Sequence, residues 1–114
     1  MDDKNKVILP AVLGQSQKLA ELVEYSQDSI VSKTILDKPV GNLTVFAFDK
    51  GQRLSEHTSP YDATVVVLDG AASIIIAGKE IEVDSGEIII MPCNVPHSVK
   101  ADVKFKMLLI MIKQ

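Results

Sequence analysis

From Leu43 onward the chain alternates short apolar runs with turn residues: LTVFAF then DKGQ, ATVVVL then DGA, SIIIA then GKE, EIEV then DSGE, IIIMP then CNVPH, and finally FKMLLIMI. Runs of this length, rich in Val and Ile and bounded by Gly, Asp, Asn and Pro, predict strands of an antiparallel barrel or sandwich. No amphipathic segment of helical length interrupts them, which argues against a βαβ plan. SIIIAGKEIEV reads as a hairpin turning near Ala77-Gly78-Lys79, because Gly supplies the positive φ of a tight turn. Asp69-Gly70 and Asp84-Ser85-Gly86 are turn signals of the same type.

The first forty residues carry a weaker pattern. SQKLAELVEY reads either as a two-turn helix capped by Ser16, with Leu19, Leu22 and Val23 on one face, or as the lead-in to a strand pair at 21–25 and 29–36. The strand pair is preferred, since SIVSKTIL alternates and SQDS makes a plausible turn. Residues 1–40 are thus expected to contribute strands and dimer contacts to a barrel formed by 41–114, one domain overall. In ATVVVL, Val65 and Val67 share the face opposite Val66 and Leu68, so both faces of that strand are apolar. Either the N-terminal segment or a second subunit must cover one of them, and a homodimer is expected.

A length of 114 residues suits one domain. Twelve Lys and Arg stand against fifteen Asp and Glu, a net charge of −3, with the positive residues scattered, which argues against nucleic acid. Few aromatics and no Trp leave no stacking platform for bases or sugars. Met107 to Ile112, the longest apolar stretch, is too short for a membrane span, and MDDKNK lacks the apolar region of a secretory signal. A lone cysteine, Cys93, excludes an internal disulfide and agrees with a reducing compartment, so a cytoplasmic protein is expected.

Two stretches carry candidate chemistry. Residues 51–70 place Gly51, five residues, His57, one residue, Ser59, three residues, Ala63, six residues and Gly70. Residues 86–101 place Gly86, five residues, Pro92, then Asn94, then His97 after two more. Together they resemble the two motifs of the cupin superfamily, G-x5-H-x-H-x3-E-x6-G and G-x5-P-x-G-x2-H-x3-N. The resemblance implies an all-β fold, a double-stranded β-helix or jelly-roll barrel of the RmlC-like kind. Such proteins are usually dimeric, with a ligand or metal pocket at one end of the barrel.

The resemblance also implies a metal centre drawn from four positions, which in this chain hold His57, Ser59, Ala63 and His97. Two imidazoles remain as donors, where a firmly held transition metal has three or four protein ligands. Asp62 and Glu56 have the wrong strand parity to replace the missing acid, unless a bulge after Pro60 swings Asp62 inward. Three readings of the histidines stay open: hydrogen-bonded core residues, a two-ligand or water-completed site for Mn, Fe, Ni or Zn, and metal-free ligand binding or proton transfer.

Around them, strand alternation puts Arg53, Ser55, His57 and Ser59 on one face, with Arg53 an anchor for a carboxylate if it points inward. Pro96 restricts the backbone before His97, and Asn94 tolerates a left-handed conformation. Tyr61 is expected at the mouth, Met91 in the pocket or core lining, and Cys93 at the same corner as a nucleophile, soft ligand or small buried hydrophobe. The expected function is binding of a small polar molecule in the pocket. A metal-dependent dioxygenase or isomerase and a non-catalytic structural or regulatory accessory are the alternatives.

Overall fold

The computed structural model describes residues 7–113. Period-two alternation decides what each strand buries. In β5 (Ala63–Asp69), Ala63, Val65 and Val67 are buried while Thr64, Val66 and Leu68 lie half-buried on the other face. The remaining strands are β1 (Val7–Ile8), β2 (Ile30–Lys38), β3 (Gly41–Phe48), β4 (Arg53–His57), β6 (Ala71–Ile76), β7 (Lys79–Asp84), β8 (Ile88–Met91), β9 (His97–Lys100) and β10 (Phe105–Ile112). They form two antiparallel sheets, of order β1-β2-β3-β10-β5-β8 and β4-β9-β6-β7.

The inner faces of the two sheets share one core. Val65, Val67, Met91, Phe105 and Met107 of the larger sheet meet Ala72, Ile74, Val83 and Val99 of the smaller. Phe48 and Phe105 stack with ring centroids 4.6 Å apart, a favourable aromatic contact at the centre of the barrel. The interior is therefore packed with side chains. Of the described residues, no helix is long and apolar enough to cross a membrane.

The hairpin between β6 and β7 turns where expected, with Ala77 at φ 50° and Gly78 at φ 82°, the double positive φ of a type I′ turn. Gly70 has φ 73°, and a Cβ there would collide with the carbonyl of Lys104. No side chain fits that turn.

The N-terminal segment departs from expectation. The predicted strand at 21–25 is absent; Leu19–Glu21 is a single 3-10 turn without a Ser16 cap, and the strand predicted at 29–36 runs from Ile30 to Lys38. Residues 9–29 form a strap over the outer face of the larger sheet. There Val12, Leu19, Leu22, Val23 and Tyr25 pack with Val45, Ala47, Leu68 and Leu108. A strap bonded through anchored side chains needs no periodic pattern, which explains why neither regular reading fits it. It covers the Leu68 end of the second apolar face of β5.

Candidate functional site

His57 ends β4 and His97 begins β9, and the two are register partners. Their side chains meet because of a β-bulge. Leu54 pairs with Val99 and His57 with His97, so β4 spends three residues where β9 spends two. In an unbroken strand Leu54 and His57 would face opposite sides; the extra residue brings both to the inside. The rings cross at 70° with centroids 4.4 Å apart, and their Nε2 atoms are 3.1 Å apart.

The second histidine is aimed by a laced corner. Asn94 adopts φ 60°, as expected, and Pro96 precedes His97. The Asn94 N–H donates to Ser59 O at 2.7 Å, the Cys93 N–H to Asp62 Oδ1 at 2.8 Å, and the Ala77 N–H of the hairpin tip to Pro96 O at 2.9 Å. Three segments thus fix the position from which His97 leaves the backbone. His97 is 3% exposed, whereas His57 is open to solvent. The pair lies at the rim of the barrel rather than inside a closed cavity. Neither ring lines the groove formed by Tyr61, Asp62 and Cys93 or the one formed by Leu54, Glu56 and Ser98.

Each imidazole is oriented by a carbonyl two residues before it. His57 Nδ1 lies 2.7 Å from Ser55 O, and His97 Nδ1 lies 3.2 Å from Val95 O. Both contacts turn Nε2 toward the partner ring. Side-chain motifs carry no trace of these backbone partners, and a shared i−2 spacing is their sole regularity. Burial holds the His97 imidazole below its ordinary pKa; the bond to Val95 opposes this, and the charge of His57 adds to it.

Other expected site residues fall differently. Arg53 pairs with Lys100 and is exposed on the outer face of the smaller sheet, because the bulge breaks the parity that would have put it beside His57. Ser59 lies beyond the end of β4; its Oγ accepts the Tyr61 N–H at 3.1 Å and sits 4.0 Å from Met111 Sδ. Met91 pairs with Ala63 and is buried in the core, not in an open pocket. Tyr61 and Cys93 line a groove on the outside of the larger sheet, with Asp62, Thr64, Ile90 and Ile112. Cys93 is exposed there, so the reading as a buried hydrophobe fails. Asp62 stays exposed, its carboxylate engaged by Cys93; no bulge swings it inward.

These positions test whether a metal suits the site. Ala63 offers a buried methyl group, the Ser59 hydroxyl is engaged, and no three His, Cys, Asp or Glu among the described residues converge on one point. The donor set does not fit a resident transition metal, which takes three or four protein groups.

A small antiparallel jelly-roll barrel with an imidazole pair at one mouth defines the class of protein. The particular family follows from comparison: residues 44–113 match the profile described as a cupin domain, and the chain belongs to the cupin family. It is similar to the structure of a conserved protein of unknown function from Streptococcus pyogenes, with 36% identity, 94% of each chain covered and a TM-score of 0.88. A cupin 2 conserved barrel domain protein from Leptotrichia buccalis is 45% identical with a TM-score of 0.81. The match covers 83% of this chain and 46% of that one. A cupin superfamily protein from Desulfitobacterium hafniense shares the fold at 22% identity and a TM-score of 0.84, over 90% of this chain and 94% of the other. No curated protein matches the sequence significantly.

Proposed function

We propose that this cupin binds a small polar molecule at the barrel mouth, against His57 and His97, without a resident metal. One observation carries the reading: a buried and a solvent-open imidazole converge to 3.1 Å at the rim, oriented from behind by backbone carbonyls. Such a pair is pre-oriented from the protein side and approachable from the solvent side, which is what ligand recognition needs. A metal-dependent dioxygenase or isomerase would require a firmly held ion with an open position; Ala63 supplies no donor for one, and the Ser59 hydroxyl is engaged by the Tyr61 N–H.

The test is elemental analysis of purified protein, then titration with Mn, Fe, Ni and Zn, with His57→Ala and His97→Ala as controls. In parallel, backbone amide spectra are followed while small carboxylates, amino acids and sugars are added. The expected result is no stoichiometric metal, together with shifts confined to the rim around residues 55–62 and 92–98 that vanish in His57→Ala. Stoichiometric metal lost in both variants would replace this reading with the metal-dependent enzyme. Silence at the rim for every compound would leave the structural accessory.

A further inference from the structure

The bulge that turns His57 inward also shapes the outside of the smaller sheet. Between the pairs Leu54–Val99 and His57–His97, two residues of β4, Ser55 and Glu56, stand opposite the single residue Ser98 of β9. In an unbroken strand Arg53 and Glu56, three residues apart, would face opposite sides of the sheet. The extra residue leaves both exposed and lining one groove of about 260 Å³, together with Ser55, Ser98 and Lys100. Ile75, the register partner of Ser98 on β6, adds a half-buried aliphatic surface to the same groove. The charges in it are left open. Arg53 and Lys100 are register partners, and like charges side by side across a ladder repel. Lys100 has counter-charges in Glu80 at 3.5 Å and Asp102 at 4.0 Å. Among the described residues, neither the Arg53 guanidinium nor the Glu56 carboxylate hydrogen-bonds or ion-pairs, with the other or with any further side chain. A cation and an anion thus share one recess without neutralising each other.

We propose that this groove is a second small-molecule site, separate from the barrel mouth, and that it takes a small zwitterion of the amino-acid class, one carboxylate and one ammonium group on a short carbon chain. It stands independently of the reading of the mouth, since neither imidazole lines it. The carboxylate meets the Arg53 guanidinium, whose planar fork of donors matches its two oxygens. A negative group there also relieves the repulsion between Arg53 and Lys100. The ammonium meets the Glu56 carboxylate, the chain between lies against Ile75, and the Ser55 and Ser98 hydroxyls serve either end. Charge complementarity selects the class: a simple anion satisfies Arg53 and is repelled by Glu56, and a simple cation does the reverse. Size agrees, because the volume falls below the roughly 300 Å³ at which pockets for drug-sized ligands begin.

The experiment uses the full chain, labelled with nitrogen-15, at neutral pH. The ω-amino acids from glycine to 6-aminohexanoate are titrated, with acetate and methylammonium chloride as the two halves of the ligand. The readouts are the Arg53 Nε–H signal and the amides of residues 53, 54, 75, 99 and 100, which lie outside the rim segments. At least one amino acid is expected to shift them and to bind about tenfold or more tightly than either half, the gain of one further charged hydrogen bond. Arg53→Gln and Glu56→Gln are each expected to remove that advantage, and both should fold normally because the side chains are exposed and unpaired. Acetate binding as tightly as every amino acid, with Glu56→Gln unaffected, would overturn the zwitterion in favour of a plain anion. Silence of the groove signals for every compound would overturn the site. If the rim amides alone respond, this inference falls while the reading of the barrel mouth stands.

Discussion

At the scale of single residues, His97 sets an acid limit. Its pKa is lowered in the folded state, chiefly by burial, while in the unfolded chain it takes the ordinary value of about 6.5. The unfolded state therefore binds more protons in acid. The contribution of His97 is complete above that pH and is lost as pH falls through the folded value. Urea midpoints should decline from neutral to mildly acidic pH, with a shallower decline in His97→Gln; equal slopes would remove this account. Some of this was readable from the sequence. Asn94 announced its left-handed backbone because few other residues tolerate it, and the two motifs named both histidines. The carbonyls of Ser55 and Val95 announced nothing, since every residue has one. Arg53 was misplaced because an unbroken alternation was assumed across residues 53–59.

At the scale of elements, the strap depends on a few anchors. The Tyr25 hydroxyl donates to Asp69 Oδ2 at 2.6 Å, and the ammonium groups of Lys104 and Lys106 lie 4.6 and 5.0 Å from the ring centroid. Burial first, then Asp69, pushes the phenol pKa well above its usual value, so it remains a donor at any physiological pH. Lys106 Nζ also donates to Ala20 O at 2.6 Å. Tyr25→Phe keeps the ring and loses one hydrogen bond. It should cost about 1 kcal/mol in urea unfolding and speed amide exchange in the strap while leaving β5 and β10 protected. Unchanged exchange would show that the apolar contacts hold the strap alone. The long strands were legible because each carries four or more apolar residues between turn signals. β9 was hidden: HSVK has four residues, two of them polar and outward, and looks like the tail of a turn. The strap was misread because its buried residues, spaced by docking, mimic both periods without obeying either.

For the molecule as a whole, the strap leaves part of the larger sheet's outer face bare. Ile88, Ile90 and Ile112 are 64%, 56% and 67% exposed, beside half-buried Val66 and Ile110. Adjacent aliphatic side chains in water are a liability that a second copy of the chain would relieve. A homodimer is the expected state. Sedimentation at micromolar concentration should show it, and Ile90→Glu should shift it toward monomer; a monomeric wild type would remove the idea. The expectation came from the two-sided apolarity of ATVVVL, which proved to have a division of labour: the strap takes the Leu68 end, and the rest faces outward. The family was legible from motif spacing, while the emptiness of its acid position was visible as Ala63.

The extra residue that β4 spends between Leu54 and His57 has a consequence for descent. Loss of one codon there would set Leu54 and the histidine two residues apart, in step with Val99 and His97, so the rings would still face each other from an unbulged strand. The spacing from Gly51 to the histidine would shorten while the pairing survived, so relatives whose first motif differs by one residue in length are to be compared by the phase of the strand and not by the count of residues.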